Sequence, residues 1–223
     1  MIALAGAVGL LLALAQGTVL APRLPEPPDG SELHKLPYSA LPTVRRVAGL
    51  VAVTICAQAA LPWLPDALRP IWFVYGSAGA ALIWVDACTT WLPSKLALLA
   101  SGQMLVAIAI SSWRGGGLAP AVQMAGGALA ATGFLWLFWR FSHGGIGFGD
   151  VRLAPLVGAT AASLGIDAWF VAMLAGSVVG VVWGLVFARR HPAPGTKNGY
   201  AYGPALWVGP YAALIWTILT RQP

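Results

Sequence analysis

Eight apolar stretches, at about 1–20, 47–64, 70–87, 96–113, 119–139, 151–164, 168–187 and 204–220, dominate the chain. Most are long enough to cross the hydrocarbon core of a bilayer, which takes roughly 17–25 helical residues. Backbone inside lipid must satisfy its own hydrogen bonds, so such stretches fold as helices or as a closed barrel. A barrel would alternate polar and apolar residues over segments of about ten, and that pattern is absent. The chain reads as an all-α polytopic membrane protein of about eight transmembrane helices, a single integral membrane domain over 1–223. Only 9% of its residues are charged, against about 25% in a soluble domain. The first stretch lacks the basic start of a signal peptide and is too long for its apolar segment, so it reads as a retained first helix. The sixth is the shortest. Pro155 within it is tolerable only where neighbouring helices re-satisfy the freed backbone groups.

Loops follow by subtraction, and their charges give an orientation. Taking alternate loops together places ten Lys and Arg on one side and three on the other. Cytoplasmic loops carry the positive excess, so the first, third, fifth and seventh loops are expected to be cytoplasmic and both termini outside. The formal charge of +6 is absorbed by this asymmetry. No basic run and no aromatic–basic interleaving points to nucleic acid. Cys56 and Cys88 are isolated, without any metal-ligand spacing, and read as small apolar packers. No metal or cofactor is implied. Gly126 with Ala130, Gly176 with Gly180 and Gly180 with Gly184 recur at four-residue spacing, the kind of surface that lets helices approach closely.

The seven acidic residues carry the functional signal. Glu26, Asp29 and Glu32 share the polar first loop, 21–46, where solvation accounts for them; they are also placed to attract a basic peptide. Asp66 and Asp167 fall in short external turns and read as Asx turns or helix caps. Asp86 and Asp150 differ. Asp86 ends the third apolar block, where the helix dipole disfavours a negative charge, and Asp150 opens the sixth. Both fall at the cytoplasmic membrane boundary, and an ionisable residue at such depth is a functional hypothesis by default.

Two carboxylates brought within a few ångströms cannot both ionise, so the pair shares a proton. One can then deprotonate a water while the other hydrogen-bonds a scissile carbonyl. Gly144, Gly145, Gly147 and Gly149 crowd just before Asp150. A loop without side chains lets a substrate backbone approach closely, although a glycine run alone would equally suit a hinge.

Gly147-Phe148-Gly149-Asp150 matches the GxGD signature of membrane-embedded aspartic proteases. With Val151, Arg152 and Leu153, and with Asp86 six positions before Leu92-Pro93-Ser94, the chain resembles the prepilin peptidases, or type IV leader peptidases. Tyr202-Gly203-Pro204-Ala205-Leu206 resembles the Gly-Pro-containing last helix of that family. The resemblance implies Asp86 and Asp150 as catalytic, with Gly147, Gly149, Arg152, Pro93 and Ser94 shaping the site or binding substrate. It also implies a prepilin or pseudopilin substrate, a short basic leader followed by an apolar helix, cleaved at the cytoplasmic face of the plasma membrane for a type IV pilus or protein secretion system.

Three departures stand out. Arg152 replaces the usual lysine, which keeps a positive charge but changes hydrogen-bond geometry. Ser94 replaces asparagine, and either can cap the helix that starts near Lys95. The first loop is short and lacks cysteine, whereas members that also N-methylate the new terminus carry a larger domain with paired CxxC motifs there. The resemblance therefore implies a peptidase and leaves methyltransfer without support.

Two other readings use the same acids. In a transporter or channel subunit they would form a proton or ion relay lining a cavity near the midplane; a scaffold for a secretion machine would need neither. A presenilin-like protease also has GxGD, but carries Tyr before its first aspartate, where this chain has Val85.

Overall fold

The computed structural model describes residues 2–25, 36–115, 117–142, 146–190 and 201–220. Among them there is no strand, and eight helical stretches stand where the eight apolar blocks lie. They are α1 (Ile2–Arg23), α2 (Val44–Gln58), α3 (Arg69–Thr89), α4 (Ser94–Arg114), α5 (Leu118–Phe141), α6 (Phe148–Ala162), α7 (Ile166–Arg190) and α8 (Gly203–Thr220). Six, namely α1 to α5 and α7, are long and apolar enough to cross a membrane, α2 with its extension to Trp63. The fifteen residues of α6 reach only about 22 Å at 1.5 Å per residue, short of a hydrocarbon core of about 30 Å. Multi-pass membrane architecture is thus plain, while α6 and α8 fall outside the six.

The centre of the bundle is α3, which touches α1, α2, α4, α6 and α8. Its middle is built of small residues, Gly76, Ser77, Ala78, Gly79, Ala80 and Ala81, all buried. Small side chains let neighbouring backbones come close where hydrophobicity cannot drive helices together. One π-helical turn, Tyr75–Gly79, interrupts the α geometry here. Large side chains sit at its start: Trp72 and Tyr75 pack against Trp207 and Tyr211 of α8. The polar tips of Trp72, Tyr75 and Trp207 find partners within the bundle, as buried Tyr and Trp normally do, whereas the Tyr211 hydroxyl is buried without one among the described residues. The Tyr75 hydroxyl donates to the Trp207 carbonyl at 2.8 Å and the Trp72 indole N–H to Ser163 Oγ at 3.2 Å.

Two pairings flank this core, α5 with α6 and α7 with α8. In the first, Gly127 and Gly158 face each other so closely that a Cβ on either would strike the other's backbone carbonyl. In the second, Gly176 abuts the Leu206 backbone, Gly180 the Tyr202 ring and Gly209 the Ala172 carbonyl. The small-residue reading holds for Gly176 and Gly180 but not for Gly126, which meets nothing within 4 Å. Its neighbour Gly127 makes the close approach, so the face was misplaced by one residue. Cys56 is exposed and Cys88 half-buried, so Cys56 is no packer. Asp66 is neither an Asx turn nor a cap: it pairs with Arg69 three residues on.

The described loop residues gather at the two ends of the bundle. The Tyr38 hydroxyl from the first loop bonds the Trp91 carbonyl in the third at 3.4 Å. Loop residues Trp91, Gly147 and Tyr202, from the third, fifth and seventh loops, meet at one cavity. At the opposite end Asp66 and Arg69 of the second loop region meet Arg114 and the first turn of α1.

Candidate active site

Helix α3 ends within a turn of Asp86. Thr90 adopts a left-handed conformation (φ 54°, ψ 26°) and its N–H donates to the Asp86 carbonyl at 2.6 Å. A β-branched residue at positive φ is unusual; here the turn is fastened by the neighbouring side chain. Thr89 Oγ1 donates to the Val85 carbonyl at 2.8 Å and accepts the Trp91 N–H at 3.2 Å. The chain is thereby turned back, carrying Leu92 over the start of α6.

Helix α6 begins after Gly147, whose extended backbone (φ −76°, ψ 148°) makes it the N-cap. Asp150 follows in the first turn, and its N–H donates to the Gly147 carbonyl at 3.1 Å. A carboxylate there is favoured by the helix dipole by about 0.3–1 kcal/mol. Gly149 lies under Leu92, where a Cβ would come 3.2 Å from that of Leu92. Arg152 Nη1 donates to the Leu92 carbonyl at 2.8 Å, and its guanidinium stands 5.1 Å from the Phe148 ring centroid. The hydrogen bond to Leu92 therefore ties two segments of the site together. Phe148 in turn packs edge-on against Trp139 of α5 at 4.9 Å.

Asp86 and Asp150, 9% and 6% exposed, both line one cavity of about 230 Å³. They lie close enough for the charge of Asp86 to act on Asp150. At about 30 Å³ per water the space holds several waters, so a nucleophilic water fits between protein and substrate. Gly147, Gly149 and Arg152 line it too, as do Thr90, Trp91, Leu92, Phe148, Ala201 and Tyr202. Pro93 and Ser94 do not. Pro93 is the N-cap of α4 and Ser94 its first residue, with no side-chain cap bond, so the expected capping by Ser94 is not made.

Sequence reading missed the role of Gly203. A Cβ there would lie 2.6 Å from Asp86 Oδ2, so only glycine lets α8 pack onto this carboxylate. The Gly-Pro pair was visible as a motif, but nothing in it says what it faces. Thr90 gave no signal either. Gly144, Gly145, Glu26, Asp29 and Glu32 lie outside the described residues. Among the described residues no three His, Cys, Asp or Glu side chains gather as a metal-binding group.

A multi-pass helical membrane protein with two buried carboxylates opening on one cavity that holds several waters is an arrangement suited to hydrolysis. Residues 73–185, about half the chain, match the model of the type IV leader peptidase family, and the chain belongs to that family. Both aspartates lie inside the matched stretch, whereas Tyr202 and Gly203 lie beyond it. No curated protein and no solved structure matches the chain. Membership makes it a membrane protease with a leader-peptidase role of the prepilin type.

Proposed function

We propose that the chain is an aspartic endopeptidase in which Asp86 and Asp150 activate one water to remove the short basic leader from prepilin or pseudopilin-like substrates. The observation that carries this reading is the shared cavity: both buried carboxylates open on it beside the side-chain-free Gly147 and Gly149. Like charges so close share a proton. The ionised member takes a proton from water as the water oxygen attacks the scissile carbonyl carbon. The protonated member hydrogen-bonds the carbonyl oxygen and supports the charge that develops there. The C–N bond then breaks as the leaving amine takes a proton, giving a free leader carboxylate and a new N-terminus. Asp86 and Asp150 are the catalytic residues. Arg152 is a positioning residue, holding the Leu92 segment against α6.

The odd-numbered loops, with ten of thirteen basic residues, face the cytoplasm in this proposal, and the site opens on that side of the plasma membrane. A substrate whose apolar helix lies in the bilayer then presents its leader junction at the depth of the cavity, without unwinding the helix. Co-expression with a candidate prepilin tests the reading. Asp86→Asn and Asp150→Asn each keep shape but cannot share the proton. Each is expected to lower leader removal by about 10²–10⁴-fold while the protein accumulates in the membrane. Full cleavage by either variant rejects the paired mechanism.

A further inference from the structure

We propose that the end of the bundle opposite the two aspartates holds an anionic phospholipid, its phosphate between Arg69 and Arg114 and an acyl chain in the groove along α4. The pocket there measures about 240 Å³ and is lined by Asp66, Arg69 and Arg114 over an apolar floor that includes Leu61, Pro70 and Phe73. Pro70 and Phe73 also line a groove of about 820 Å³ between α1, α3 and α4, bounded by Leu12, Leu98, Gly102, Val106 and Ile110. The two spaces adjoin at Pro70 and Phe73: the small one is charged, and the long one is apolar except for Gln103 and for Lys95 at its far end. Arg114 lies one turn beyond Ile110 and two beyond Val106, so its guanidinium closes the same face of α4 that forms the groove.

Electrostatics favours an anion at this mouth. Arg69 gives Nε to the Leu61 carbonyl at 3.2 Å and one Nη to Asp66, which leaves its other Nη available. Arg114 is exposed and has no hydrogen-bond or ion-pair partner among the described residues. The first turn of α3, which starts at Arg69, has no side-chain cap and adds the positive end of a helix dipole. Two guanidiniums against one carboxylate leave a net positive mouth, and guanidinium matches the geometry of phosphate oxygens. A protein helix seated in the groove would press apolar side chains on these cations. A phosphodiester with an acyl tail satisfies both halves.

The test is native mass spectrometry of the full chain from detergent, offered equal phosphatidylglycerol and phosphatidylcholine with the same acyl chains. Phosphatidylglycerol is expected to be retained about tenfold more strongly, because the choline cation of phosphatidylcholine opposes the two guanidiniums that either phosphate would meet. Arg114→Gln should erase that preference, and Asp66→Asn should increase it. Gly102→Phe should reduce retention of both lipids several-fold, since Gly102 faces open space within the groove. Unchanged thermal unfolding midpoints for the variants exclude misfolding. Equal retention of the two lipids by the wild type, or a full preference in Arg114→Gln, overturns the proposal. So does unchanged retention in Gly102→Phe, or displacement of the lipid by millimolar inorganic phosphate, which would mark a simple anion site.

Discussion

Helices α3 and α5 have the same mean hydropathy, yet 78% of the apolar window of α3 is buried against 17% in α5. In water such a contrast would be written in hydrophobicity. In a bilayer it is not, because lipid tails are as apolar as leucine and burial needs another driving force. Small residues alone do not separate the two helices, since α5 has its own at 125–128 and 130–133; what differs is that α3 is ringed by neighbours while α5 packs chiefly on α6 and α4. The run Gly76 to Ala81 lets five helices close on α3, and Asp86 sits where that closure meets the cavity. On α5, Val122, Leu129, Phe134 and Leu137 point outward, and only a narrow strip around Gly127 packs.

Adding a single methyl group is the sharpest way to probe this contrast. Gly203→Ala, whose new Cβ would displace the Asp86 carboxylate, should lower leader cleavage by about 10²-fold. Gly126→Ala on α5 fills open space and should cleave like the wild type; equal activities would mean that Asp86 tolerates displacement. Removing bulk gives the next effect. Leu82→Ala in α3 should destabilise the bundle by about 2–5 kcal/mol, and Leu129→Ala in α5 by no more than about 0.5 kcal/mol, measured by unfolding in detergent. Similar losses at both positions would break the comparison.

Charged ends of the helices should differ in the same sense. Arg152→Gln loses its bond to the Leu92 carbonyl and should slow cleavage roughly tenfold, with Km less affected than kcat. Arg140→Gln, on an exposed position of α5, should leave cleavage unchanged. The smallest effect belongs to the turn after α3. Thr90→Gly relieves a positive φ and should raise stability by about 0.5–1 kcal/mol.

The helical class and the position of each helix were legible because apolar length survives any tertiary arrangement. Asp86 and Asp150 were legible for the opposite reason: a carboxylate is scarce in such a chain, so each one demands an account. Packing was harder. Gly126 and Gly127 are adjacent, and which one meets a neighbour depends on rotation of α5 about its axis, which a nearly all-apolar helix does not record. Pro93 and Ser94 were read as site-shaping from their motif but start α4 outside the cavity wall. Gly203 could not be read because its partner stands 117 positions away. Asp66 does lie in a turn, but its carboxylate pairs with Arg69, a side-chain choice that turn composition does not record.

The wider turn at Tyr75–Gly79 has a bearing on ancestry. Such a turn accommodates one surplus residue within an otherwise regular helix. A homologue lacking that residue would run straight through, and everything after it would swing by about 100° relative to Trp72. To keep its carboxylate aimed at the same partner, that homologue must shorten or compensate elsewhere. Counting positions from the aromatic cluster to the first aspartate is therefore an unsafe ruler between distant cousins, and alignments there should admit a one-residue gap.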